Sequence, residues 1–273
     1  MFGKNYYSLV AGLKEYSLES DVKGFDARAS VDEIVAGVSR DDARAVELLY
    51  GFYDVRNLTA RRNGGSQHHV LGNLSEEQLD GTVPGMPEWM ARVVRAYDDP
   101  EGEDAETVDM QAGFGRSLTA AYYDECSRSK SRFLREWSEF DRNVHNVITA
   151  VKARRFNLAV EDAVMPGGDV ADQLVRSSAA DFGLRGELEY MDALLSACEQ
   201  TDLLARERKI DKIRWDMADE LSWSNYFDID ALLAYLVKLN IVERWMSLDE
   251  KRGREMLRKL VAGLDGKELI NKQ

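Results

Sequence analysis

Apolar residues in this chain recur at steps of three and four, the spacing of one face of an α-helix. No stretch sustains the alternation of period two that a half-buried strand requires. From Asp41, the positions Ala43, Val46, Leu49, Tyr50, Tyr53 and Leu58 mark one amphipathic helix. A loop follows over 61–72, around Asn63-Gly64-Gly65-Ser66, and a second over 82–87. Trp89, Met90, Val93, Val94 and Tyr97 then mark another helix. The strongest pattern is Phe133, Trp137, Phe140, Val144, Val147 and Val151, spaced 4-3-4-3-4, a seam that needs a second helix along it. Pro166-Gly167-Gly168 ends this region, a short helix restarts at Asp169 or Val170, and Phe182-Gly183 makes a turn. Helices are predicted over 187–199, 202–222, 228–246 and 248–264, with Asp228 as an N-cap and Gly266 just past the last end. Ser30-x-x-Glu33, Ser39-x-x-Asp42, Ser75-x-x-Gln78 and Ser247-x-x-Glu250 have the form of capping boxes or near-boxes. The expected fold class is all-α.

Within these helices the pattern Asx-x-x-Asn-aliphatic occurs twice. The first copy carries Tyr53, Asp54, Asn57 and Leu58, and the second Asn143, Asn146 and Val147; basic residues follow each. Polar groups among core-spaced aromatics are costly unless hydrogen-bonded. Asn57 and Asn146 are therefore expected to bond backbone or a neighbouring helix, and their recurrence points to a structural unit used more than once.

Composition narrows the function classes. At 273 residues with 44% hydrophobic and 31% charged positions, the chain is long enough for a sizeable core and is not disordered in character. Only 4 prolines interrupt it, which leaves room for long helices. A net charge of −13 disfavours nucleic acid and direct adhesion to an anionic bilayer. From 127 to 157, however, eight Lys/Arg stand against three acids. Arg128, Lys130, Arg132, Arg135, Arg154 and Arg155 form a candidate basic stripe for an acidic partner. Cys126 and Cys198 have no CxxC spacing and read as small buried hydrophobes in a reducing compartment. The 6–13 run lacks the features of a secretory signal, and no apolar run is long enough to span a bilayer.

Catalytic equipment is not legible. There is no phosphate-loop sequence, HExxH, GxSxG or dinucleotide fingerprint, and no catalytic, cofactor or metal-ligating residue is assigned. A helical hydrolase would have to assemble a metal from His68, His69 and the acids at 98–104, whose spacing matches no known ligand set.

Tyr53-Asp-Val-Arg-Asn-Leu58 with its echo Asn143-Val-His-Asn-Val147 resembles the repeated helix motif of the C-type subunit of V/A-type rotary ATPases (ATP synthases), the d-type subunit of the vacuolar enzyme. Stretches at 6–13, 133–137, 180–184, 236–239 and 243–249 resemble a short bacterial branch of that family, in order along nearly the whole chain. The resemblance implies a single all-helical, funnel-like, elongated body of two to three pseudo-repeated bundles, at roughly 1–98, 105–185 and 186–273. It implies a non-catalytic central-rotor subunit linking the axle subunits to the membrane rotor ring, without a cofactor. Such a subunit would be cytoplasmic and peripheral to the inner membrane through its partners. The chain departs from the pattern in being short and in keeping only Asn240-Ile241 of a third copy. The competing expectation is a free-standing helical adaptor for a soluble protein.

Overall fold

A computed structural model describes residues 5–17 and 25–247. The helix expected over 248–264, Glu250 of its near-box and Gly266 lie outside the described residues, while Ser247 is the last residue of the preceding helix. Among the described residues there are eleven α-helices and no strand. They are α1 (Tyr7–Gly12), α2 (Ala27–Gly37), α3 (Arg40–Arg62), α4 (Glu76–Leu79), α5 (Glu88–Asp98), α6 (Phe114–Ser127), α7 (Arg132–Arg155), α8 (Asp169–Arg176), α9 (Met191–Cys198), α10 (Leu203–Ser222) and α11 (Ile229–Ser247).

Local chemistry sets most of the boundaries. Ser39 accepts the Asp42 amide at the start of α3, and Ser75 with Gln78 closes a full capping box on α4. Asp202 and Asp228 take the amides of Ala205 and Ala231, so α10 and α11 begin where the caps predict. Ser30 does not start a helix: Asp26 caps α2 instead, and Ser30, within its first turn, bonds back to the Asp26 carbonyl. α7 stops at Arg155, well short of Pro166, with Asn157 in the left-handed region at φ 55°. The helix expected over 187–199 shortens to α9, because 184–190 are turns.

The 24-residue α7 touches α6, α8, α9, α10 and α11, and its seam of Phe133, Trp137, Phe140, Val144 and Val147 is buried. Burial of each such side chain stabilises by about 1.5–3 kcal/mol. α3 packs on α6 closely enough that a Cβ on Gly115 would sit 2.8 Å from Thr59 Cγ2. α10 and α11 lie against each other and against α7. One contiguous core runs from Ala27 in α2 to Ile241 in α11, crossing all three segments at which repeats were expected.

Candidate functional site

Asp54 and Asn57 lie one turn apart on the buried face of α3, where aromatic packing fixes their direction. The Asn57 side chain is paired with a single loop residue: its Nδ2 donates to the His69 carbonyl at 3.1 Å, and its Oδ1 accepts the His69 amide at 2.7 Å. Asp54 grips the other end of the same loop, accepting the Leu74 amide at 3.0 Å and the Asn73 side-chain amide at 2.8 Å. Burial raises the Asp54 pKa, against those two donors. The loop passes so close that a Cβ on Gly72 would meet Asp54 Oδ1 at 2.6 Å and Asn57 Nδ2 at 2.8 Å. Gly72→Ala should therefore destabilise the chain by about 1–3 kcal/mol, as overpacking does. A melting temperature unchanged from the parent would show that the loop can lift at no cost.

Asn146 repeats the device on α7. It is 1% exposed, its Nδ2 donates to the Met165 carbonyl at 2.9 Å, and its Oδ1 accepts the Met165 amide at 2.9 Å. Both asparagines thus bracket the backbone of one residue in the loop that follows their helix, 12 residues on in one copy and 19 in the other. Asn143, in the place of Asp54, grips no loop backbone; it lies near the Tyr190 hydroxyl and lowers its pKa against the rise from burial. Tyr53, Leu58 and Val147 are core residues. Asn240 is used differently, accepting the Tyr50 hydroxyl at 2.9 Å.

The Asn57 bracket also builds one wall of a cleft of about 650 Å³ between α3, α6, α7, α10 and α11. Held by its backbone, His69 stacks on Tyr53 with ring centroids 4.2 Å apart. Burial lowers its pKa, and Arg56 and His68 lower it further. Its Nδ1 accepts the Leu71 amide, which leaves the proton on Nε2, 3.8 Å from Glu243. Across the cleft runs a ladder of alternating charge. Asp141 on α7 accepts from Arg214 Nε and from the Tyr123 hydroxyl, both at 2.8 Å. Arg214 Nη1 lies 3.5 Å from Asp211, which accepts from Arg244 at 3.0 Å and from the Trp245 indole at 2.9 Å. Arg244 also bonds Glu207.

The two carboxylates of the ladder titrate in opposite directions. Burial pushes Asp141 up, but Arg214 and the Tyr123 hydrogen bond outweigh it and hold the pKa below the usual value. At Asp211, 1% exposed, burial wins over Arg244, Arg214 and Trp245, and the pKa is raised. The ladder ties α7, α10 and α11 together with every rung answered. Ser138, a hydroxyl in the cleft wall, bonds the Arg135 carbonyl within its own helix.

A protein-family model described as "Protein of unknown function (DUF2764)" matches residues 3–267. The chain belongs to that family. No curated protein matches it.

The remaining candidate residues of this DUF2764 chain are distributed as follows. The basic stripe is divided, because its two groups stand at opposite ends of α7, about 35 Å apart at 1.5 Å per residue. At the far end, Arg154 bonds the carbonyls of Ser177 and Ala179 with its guanidinium 3.6 Å from the Phe182 ring, and Arg155 bonds the Cys198 carbonyl. At the near end, Arg132 pairs with Glu136 at 2.9 Å, Arg135 bonds three carbonyls at 129–131, and Arg128 lies 3.8 Å from Glu125. Among the described residues no three His, Cys, Asp or Glu converge as a metal site. Asp98 and Asp104 instead pair with Arg62 and Arg95. Cys126 and Cys198 are buried and free, with burial pushing the Cys126 thiol up to about 12. No described helix is long and apolar enough to cross a membrane.

None of the sequence motifs announces the cleft. A signal for it exists: Glu207, Asp211 and Arg214 recur at steps of four and three, charged residues at the spacing of a helix face that elsewhere is apolar.

Proposed function

We propose that this chain is a non-catalytic coupling part: the central-rotor subunit that joins the axle to the membrane ring of a V/A-type ATPase and passes torque between them. The observation that carries this reading is the doubled motif, in which Asn57 and Asn146 each hold the loop after their helix by two hydrogen bonds. A torque-bearing part must resist deformation. Loops tied to their helices at buried amides, and three long helices joined by the ladder through Asp141 and Arg214, supply that resistance. The ordered resemblances along the chain favour the same role, with ATP bound by other subunits and the ion by the ring. The location that follows is cytoplasmic, at the inner membrane through partners.

The test is purification of the tagged full-length chain from gently solubilised membranes. Axle and ring subunits should co-elute in fixed ratio, while the isolated chain hydrolyses no ATP. Elution with soluble proteins alone would favour the free-standing adaptor instead, and ATP turnover by the isolated chain would end both readings.

A further inference from the structure

Three large aromatic side chains stand in water around the connection between α10 and α11. Trp223 is 75% exposed, Tyr226 68% and Tyr7 61%. Trp223 closes α10, Tyr226 lies in the connection to α11, and Tyr7 begins α1 with its ring 4.9 Å from that of Phe227. The connection is braced. Arg132 on α7 donates to the Leu221 carbonyl at 2.9 Å and to Asn225 Oδ1 at 2.8 Å, Asn225 donates to Asp228, and the Tyr6 amide bonds the Phe227 carbonyl. Solvent-facing Trp and Tyr on a braced connection have the composition of a protein-binding hot spot, since these side chains carry few rotatable bonds to be ordered when a partner covers them.

The near end of the basic stripe lies against this knuckle. Ser131 bonds Asp230 at 2.7 Å, and Arg132 reaches the connection itself. Lys130 is exposed, and the Arg135 guanidinium meets only carbonyl oxygens, so its charge is uncancelled by a carboxylate. Most nearby acids are engaged: Glu136 with Arg132, Asp219 with Lys238, Asp230 with Ser131, and Asp228 with Asn225 and the first turn of α11. Glu220 remains exposed beside Trp223, and Glu139 remains exposed one turn on from Arg135, whose guanidinium is drawn the other way, to the carbonyls at 129–131.

We infer that Trp223, Tyr226 and Tyr7, with Lys130 and Arg135, form a docking surface for a protein that presents carboxylates around an apolar recess. The aromatics would enter the recess and the two cations would meet the carboxylates. A bilayer is disfavoured as the occupant because the whole chain carries −13. The surface does not depend on the coupling role proposed above.

The test uses the full-length chain with a photo-reactive phenylalanine at Tyr226, irradiated in its own cells, and the same group at exposed Leu158 as control. One protein should cross-link from position 226 through a peptide rich in Asp and Glu, and not from 158. Trp223→Ala and Lys130→Glu, both at exposed positions, should each lower the yield at least tenfold without moving the melting temperature. Equal yields from both positions, a peptide without acids, or no adduct would overturn the proposal. So would sedimentation with phosphatidylserine vesicles that Trp223→Ala abolishes, because the occupant would then be lipid. An acidic peptide from a protein outside the rotary complex would keep this surface and leave the coupling role to the co-purification test.

Discussion

Arg214→Met is expected to lower the stability of the chain by about 3 kcal/mol, the low end of the range for removing one partner of a buried ion pair, because Arg214 and Asp141 are partly open to the cleft while Asp211 is buried. Arg214 stands between Asp141 and Asp211, and its loss leaves the Asp141 carboxylate with the Tyr123 hydroxyl alone. The pH dependence should change sign with it. In the parent, the Asp141 pKa is held below its unfolded value, near 3.9. Its contribution is therefore present above pH ~4 and is lost as pH falls through the lower folded value. Without Arg214, burial is the dominant influence and the folded pKa rises above the unfolded one. The deficit is then largest at neutral pH and narrows as Asp141 takes up its proton. Urea unfolding at several pH values measures both effects. A parent-like midpoint at pH 7, or a deficit that widens on acidification, would mean that the ladder does not hold α7 to α10.

Asn146→Ala should have a comparable effect, about 2–5 kcal/mol. It strands the amide and the carbonyl of Met165 where water is excluded, at about 1–3 kcal/mol for each unmet group. Asn57→Ala should lose less, because His69 is only half-buried and water can replace part of the bracket. The diagnostic reading is hydrogen exchange at the Met165 amide, whose protection should vanish in Asn146→Ala. Protection that survives, or a stability of Asn146→Ala equal to the parent's, would show that the brackets are incidental to the fold.

The helical character was legible because it is local. The steps of three and four placed α3, α5, α7, α10 and α11, and the hydroxyl and carboxylate caps set several of their starts. Asn57 and Asn146 were conspicuous as polar groups on faces that bury aromatics. The stripe from Arg128 to Arg155 was legible as charge but not as contacts, because charge counted along a sequence does not say which carbonyls a guanidinium meets. Ser30 misled for a related reason, since a competing cap at Asp26 was equally available.

From its residues alone, then, the chain determined that it is helical, which faces turn inward, and that two amides had to find partners there. Only the tertiary structure decided who those partners are: backbone at His69 and Met165, reached across loops of different length, and the rungs joining Asp141 to Arg214 and Asp211 to Arg244. Periodicity records which side of a helix leaves water. It carries no record of which helix lies opposite, because that is set by crossing geometry and loop path between positions far apart in the chain.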